Sequence, residues 1–504
     1  MMPAALLFLA QVLAAQSHPA AARDEVELVT EQAPPAGASA APDEAALSQP
    51  EAGPEAPAED SAPAEPDEAE LIPQEIGGAE TAANARSIFV SATFAPQVRW
   101  LRDDLAVPLP GTPASGRDIV SRFYADLRAN PEIARTLSLH LSARVNWIEP
   151  IEGRYSDKRL RVDAREAFLT WSPNPEVIIE TGRINARVGV AIGYNPTDFF
   201  RARTVVDPVT VDPSVLRLNR LGVAMARLTG VRGPGAVSLS VAPRLEEREP
   251  VTLGRRSFAD LRLGRTNAAT AVELRGGWDS PGGTSLQLSA FVREQRAASF
   301  GLNLVTGLGD SATIFVEATA RKTSDVLSEA VAEGVVAGEL PSFALQLFPA
   351  ASSRYRPSAA LGITYTTSSK MTLTVEFDLN GAGLTKGQWH DRVDRALARG
   401  PLGSGAFWYA RSLVQQQQEL ISRQQLFVRA AWDEAFGREQ LSLSTLLLTP
   451  ITDRSGLLQS AVDYRLSNGW SLGGLVQIST GPRRSIYGSS PQAGGVQLYA
   501  TRYF

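Results

Sequence analysis

His140 stands between Ser138 and Ser142, and His390 is followed by Asp391; at these two places a base neighbours a hydroxyl or a carboxylate. Either pair could serve a hydrolase if the imidazole lay within hydrogen-bond reach of a nucleophile. Neither is accompanied by a nucleophile elbow, a phosphate-cradling glycine loop or zinc-ligand spacing. The third histidine, His18, falls in an N-terminal segment expected to be removed, and the absence of Cys excludes disulfide frameworks and thiolate zinc sites. No catalytic residue, cofactor or metal is therefore expected, and a lone polar-face histidine reads as a hydrogen-bonding residue.

Arginine offers the denser chemistry. Arg159, Arg161, Asp163 and Arg165 alternate with Leu160, Val162 and Ala164, and Arg144 takes the polar face of the preceding segment. The guanidinium fork suits carboxylate and phosphate groups. A wall of such groups concentrates anionic solutes through its field, an effect that salt screens. The competing reading pairs these arginines with acids such as Asp163 and Glu166, leaving weak selectivity. Lysine occurs only at 158, 322, 370 and 386, and the basic residues lack the aromatic-interleaved patch that nucleic acid needs.

The elements that carry these side chains repeat every second residue. Leu137, Leu139, Leu141, Ala143, Val145 and Trp147 oppose Ser138, His140, Ser142, Arg144 and Asn146; Met371, Leu373, Val375, Phe377 and Leu379 oppose Thr372, Thr374, Glu376, Asp378 and Asn380. The same division recurs at 284 to 292 and 458 to 466. One face suits lipid and the other water. In hydrocarbon every backbone N–H and C=O needs an internal partner, so such strands span a membrane only as an edgeless barrel. The expected fold is all-β: a single closed antiparallel transmembrane β-barrel of about 16 strands, with 14 to 18 tolerable. Its pore-lining candidates are His140, Arg144, Arg159, Arg161, Asp163, Arg165, Glu376 and Asp378.

Charge and composition divide the chain unevenly. Of the 54 acids, 16 precede residue 85 and face Arg23 alone, which leaves 38 acids against 48 bases in the remainder. Residues 3 to 15 are apolar but too short for a membrane helix of roughly 20 residues. They read as the core of a signal peptide over 1–22, with Ala20 and Ala22 forming an A-x-A cleavage site and Ala15 an alternative. Residues 23–84, rich in Ala, Pro and Glu, cannot bury enough apolar surface to offset their ordering entropy. They read as a disordered periplasmic segment, a passive spacer or a tail that docks a periplasmic partner.

The barrel would occupy 85–504. Links such as Ser467-Asn468-Gly469 and Asp279-Ser280-Pro281-Gly282-Gly283 suit tight hairpins, whereas 323–342 and 381–424 are long enough for extracellular loops, the second with helical character from about Ala406 to Arg423. Asn195-Pro196-Thr197-Asp198 is a turn by its Pro and Asx chemistry. It is either a plain structural turn or part of a loop folded into the lumen, where Arg183 and Asp198 would meet across a constriction. The chain stops on an alternating strand ending in Phe504, an expected signal for the outer-membrane barrel assembly machinery. Arg502 departs from the apolar residue usual two positions before such an end.

The segment Glu180-Thr181-Gly182-Arg183-Ile184, followed by Gly193-Tyr194-Asn195-Pro196-Thr197-Asp198-Phe199-Phe200, resembles a pattern in porin-like families of outer-membrane barrels, including the family of unknown function numbered 1302. Thr374 to Gly383 is similar to a strand and loop of the same group. The resemblance implies an outer-membrane barrel set in lipid and lipopolysaccharide that passes small hydrophilic solutes, and it is silent on cargo. Two alternatives stay open: a polymer or lipid export or import barrel working with periplasmic partners, and a closed structural or adhesive barrel.

Overall fold

The computed structural model describes residues 88–504, apart from 111–115, 153–159, 206–209, 246–250, 254–255, 260, 337, 350–351 and 467–468. The expected signal peptide, the acidic segment and Arg159 lie outside the described residues.

Eighteen strands form the wall. In chain order they are β1 (Ile88–Leu101), β2 (Arg117–Ala129), β3 (Leu137–Glu152), β4 (Leu160–Asn174), β5 (Val177–Ile184) and β6 (Val223–Arg232). There follow β7 (Gly235–Ala242), β8 (Ala271–Ser280), β9 (Thr284–Arg293), β10 (Ser299–Leu308), β11 (Ala312–Thr323) and β12 (Arg354–Thr366). The last six are β13 (Met371–Asn380), β14 (Gln424–Trp432), β15 (Leu441–Pro450), β16 (Gly456–Leu466), β17 (Trp470–Thr480) and β18 (Gln492–Tyr503). Each pairs antiparallel with the next, and β18 returns to β1 with Tyr503 opposite Ser91 and Val496 opposite Val98. The sheet therefore has no edge. The count is at the upper end of the expected range.

Burial is inverted relative to a water-soluble protein. Phe94, Phe123, Leu141, Val145, Leu239, Leu274, Leu288, Leu361 and Phe377 are exposed, while their polar neighbours Thr93, Arg122, Ser142, Asn146, Ser240, Glu273, Glu376 and Asp378 are buried. Water would penalise so much exposed apolar area, and hydrocarbon would not. Trp171, Trp278 and Trp470 sit exposed near one end of the wall and Trp100 and Trp147 near the other, where amphipathic rings settle at the membrane interfaces. Among the described residues no helix is long and apolar enough to cross a membrane.

The two ends differ in their connections. At the end where Ile88 enters, the links are short: Gly233-Pro234 joins β6 to β7, and Pro281-Gly282-Gly283 joins β8 to β9, with Gly283 at φ +75°. At the other end, 185–222, 243–270, 324–353 and 381–423 are long. The last two carry α-helices Val326–Val336, Lys386–Ala398 and Gly400–Gln416, so the expected single helix from 406 is two helices that start earlier. Thr385 and Gln388 cap the first of these two reciprocally, and the break falls at Gly400, whose φ is +58°. Leu327, Val331, Phe348, Trp389, Phe407 and Leu413 pack together into an apolar core outside the wall.

Arg502 is accounted for by its neighbours: its guanidinium lies 5.7 Å from the Trp470 ring centroid and 5.8 Å from that of Phe504, a cation–π arrangement suited to an interface. The Phe504 amide donates to the Val90 carbonyl at 3.0 Å, which ties the C-terminus to β1.

Candidate functional site

The 185–222 segment does not stay outside. It enters the barrel and is held against β11 and β13 by carboxylates of the wall. Glu317 of β11 accepts the amides of Val190 at 3.0 Å, Ala191 at 3.1 Å and Thr197 at 2.7 Å, and the Thr197 hydroxyl at 2.7 Å. Glu376 of β13 accepts the amides of Ile192 at 2.9 Å, Gly193 at 3.2 Å and Tyr194 at 2.7 Å. Successive N–H groups converging on one anion form a backbone nest, and hydrogen bonds to a charged acceptor are the stronger kind. Two glycines permit this close approach. A Cβ on Gly189, whose φ is +90°, would stand 2.5 Å from Glu317 Oε2, and one on Gly193 would stand 2.5 Å from the Phe427 ring.

Further along, the segment is fastened by Gln459, which accepts the Val211 amide at 2.9 Å, and by a buried ion pair between Arg429 of β14 and Asp212 at 3.1 Å. Asp212 also caps the short helix Pro213–Leu218. Asn195 to Asp198 does form a turn, with the Asp198 amide donating to the Asn195 carbonyl at 3.3 Å. The expected meeting of Arg183 and Asp198 is not made. Asp198 pairs instead with Arg220 at 2.7 Å, while Arg183 donates to the carbonyls of Gly222 at 3.0 Å and Leu261 at 2.6 Å. Gly182, at φ +132°, lies within β5 just before Arg183, where a Cβ would stand 2.3 Å from the Ala167 carbonyl oxygen.

Across the lumen the arginine wall is present, and it is paired. Arg144 forks onto Asp126 at 2.8 and 2.7 Å, and Arg165 reaches the same carboxylate at 2.8 Å. Asp163 takes Arg161 at 2.8 Å and Arg262 at 3.9 Å. Each of these two carboxylates thus serves two guanidinium groups. Arg144 also lies 4.4 Å over the Tyr124 ring. Arg165, Asp163, Glu376 and Asp378 are buried rather than open to a solute path, so these four pore-lining candidates face inward but do not line it with accessible charge. For Glu376 the cause is the segment laid over it.

His140 is bonded at both ring nitrogens, Nε2 at 3.1 Å from Ser138 Oγ and Nδ1 at 3.2 Å from Asn130 Oδ1, and its ring stacks on Phe168 at 4.5 Å. The contact that a hydrolase needs first is therefore present, but neither cavity described below borders it. His390 lies on the helix Lys386–Ala398, where Asp391 bonds Arg395 at 2.8 Å.

Sequence reading missed the residue that joins the infolded segment to the outer loops. Glu419 Oε1 takes Arg201 and Arg321, each at 2.8 Å, and Oε2 accepts the Tyr194 hydroxyl at 2.9 Å. Burial pushes the Glu419 carboxyl up, but Arg321 and Arg201 outweigh it and hold it at about 2. Burial, and then Glu419, raise the Tyr194 phenol. The Arg203 amide donates to the Gln416 carbonyl at 2.8 Å, and Gln418 Nε2 donates to the Arg201 carbonyl at 3.0 Å. Nothing in the Gln415 to Glu419 run announces this role. Glu317, also missed, carries a weak signal: like Glu376, it is a carboxylate on the inward face of an alternating strand.

Fold and site together define a transmembrane β-barrel whose lumen is divided by an infolded segment. Its solved structural likenesses include OccK11 (OpdR) of Pseudomonas aeruginosa, at 11% identity over 83% of this chain and 96% of that one, with a TM-score of 0.43. OpdQ of Pseudomonas aeruginosa matches at 9% identity over 83% and 97%, with a TM-score of 0.42. A triple mutant of Rhodopseudomonas blastica porin matches at 12% identity over 83% and 99%, with a TM-score of 0.36. At such values the likenesses add nothing about solute or activity. No family model and no curated protein matches the chain, so the resemblance to family 1302 rests on the quoted motifs alone.

Proposed function

We propose that this chain is an outer-membrane channel for passive passage of small hydrophilic solutes, with anions favoured over cations. The observation that carries the reading is a closed wall with a polar interior in which Asp126 and Asp163 are each shared by two arginines. Guanidinium charge in excess of carboxylate leaves a positive field along that side of the lumen. The infolded 185–222 segment narrows the passage, and Arg144 and Arg161, the less buried members of the wall, are the pore-lining groups that act on solutes. Ile88 enters at the short-link end, which supports a periplasmic N-terminal segment free to meet a periplasmic partner. Lipid and lipopolysaccharide surround the apolar belt, and the Phe504 end serves the assembly machinery.

Conductance of the full refolded chain in a planar bilayer, under asymmetric salt, tests this. Steady open steps with an anion-selective reversal potential are expected, and replacing Arg144, Arg161 and Arg165 with Ala should move that potential toward cations. An unchanged potential overturns the anion preference. The helical layer packed around Trp389 and Phe407 favours a second reading, a barrel closed at its outer mouth; silence from a correctly folded protein would select it.

A further inference from the structure

A cavity of about 110 Å³ opens between the infolded segment, the ends of β9 and β11, and the helix Val326–Val336. At roughly 10–15 Å³ for each water position, it has room for a ligand of about ten heavy atoms. One side is aromatic: Phe199 stacks on Phe291 at 4.8 Å and 8°, and Phe200 meets Phe291 edge-on at 5.4 Å. A second, smaller cavity continues past the same Phe199 and Phe291.

The opposite side is charged, and its two signs are not equally accessible. Arg293, Arg296 and Arg321 have side chains 35%, 41% and 39% exposed, whereas Glu333, Glu329 and Glu419, their partners, are 20%, 19% and 6% exposed. Arg321 commits Nη2 to Glu419, and Arg293 only approaches Glu333, at 3.7 Å through Nη1. Among the described residues, Nε and Nη1 of Arg321 and Nε and Nη2 of Arg293 have no protein partner, and none of the four is among the sealed polar atoms. Glu329, Glu333 and Glu419 border the same cavity but are less exposed than the arginines they hold, which leaves the uncommitted N–H donors of Arg293 and Arg321 for a ligand.

From this juxtaposition of open guanidinium donors and a phenyl wall in one cavity, we infer a binding site for a small organic monoanion with an apolar body, of which an aromatic carboxylate is the representative. The carboxylate takes the free donors of Arg293 and Arg321, whose planar forks match it. The ring lies against Phe199. A cation is opposed by the three accessible guanidinium groups, and an inorganic anion forgoes the aromatic contact. The inference deepens the channel reading by naming a solute class for its outer vestibule.

Binding can be measured without any current, by titration calorimetry of the full chain in detergent micelles, using benzoate, its neutral analogue benzamide, and acetate. Benzoate is expected to bind at least tenfold more tightly than either. Arg293→Gln and Phe199→Ala should each weaken benzoate about tenfold while the barrel keeps its heat-modifiable electrophoretic migration; a variant that loses it is replaced by Arg296→Gln. Benzamide binding as tightly as benzoate overturns the anion requirement, acetate doing so overturns the aromatic wall, and no saturable heat with benzoate overturns the site. Anion-selective conductance without benzoate binding would fell this site and leave the channel reading standing, whereas benzoate binding to a non-conducting barrel would do the reverse.

Discussion

Replacing Glu419 with Gln should loosen the junction between the outer loops and the infolded segment, and the size of the effect follows from its surroundings. The carboxylate is 6% exposed and compensates Arg201, equally buried, and Arg321. Its folded value of about 2 lies below the ordinary 4.5, and at 1.36 kcal/mol per unit the difference is worth about 3 kcal/mol at pH 7. Because the folded value is depressed, that stability is fully present above pH 4.5 and is lost as pH falls toward 2. Removing one partner from a buried pair typically costs 3–5 kcal/mol, in line with this. Urea unfolding of wild type and Glu419→Gln in the same detergent should therefore differ by about 3 kcal/mol at pH 7 and by about 1 kcal/mol at pH 3. A difference below about 0.5 kcal/mol at pH 7, or one that does not shrink in acid, would refute the claim that Glu419 is held ionised by its two arginines.

Other perturbations follow from the same contacts. Glu317→Ala combined with Glu376→Ala removes the acceptors for six amides, so single-channel conductance should rise and the 185–222 segment should become a protease target; unchanged conductance would mean that the segment is held elsewhere. Gly193→Ala places a methyl against Phe427 and should lower stability by about 1–3 kcal/mol, the usual cost of overpacking, read from the urea midpoint. Leu239→Arg, on the outer face, should cost about 2–4 kcal/mol in lipid if the residue lies near the bilayer midplane. A neutral result in vesicles would contradict the orientation of β7.

The wall was legible in the chain because its signal is local. At 137–147 and 371–380 each side chain's face is set by parity, and the structure places Trp147 and Phe377 outside and Ser142 and Asp378 inside, as alternation requires. The inward direction of Arg144, Arg161 and Arg165 follows from the same rule. Their partners do not: Arg165 reaches Asp126 across β3, a contact that strand order and register create.

Sequence alone determined the strand periodicity, the polarity of each face, the tight turns at Pro and Gly, and the acidic bias before residue 85, since each depends on residues within a few positions of one another. Only the tertiary structure decided that the wall closes at 18 strands, that 185–222 turns inward onto Glu317 and Glu376, that Asp198 takes Arg220 in place of Arg183, and that Glu419 bridges loop and wall. The side-chain contacts among these join residues 22 to 225 positions apart, and closure pairs Ser91 with Tyr503. Local pattern carries no information about which of many chemically equivalent carboxylates and guanidinium groups will meet; closure of the barrel chooses among them.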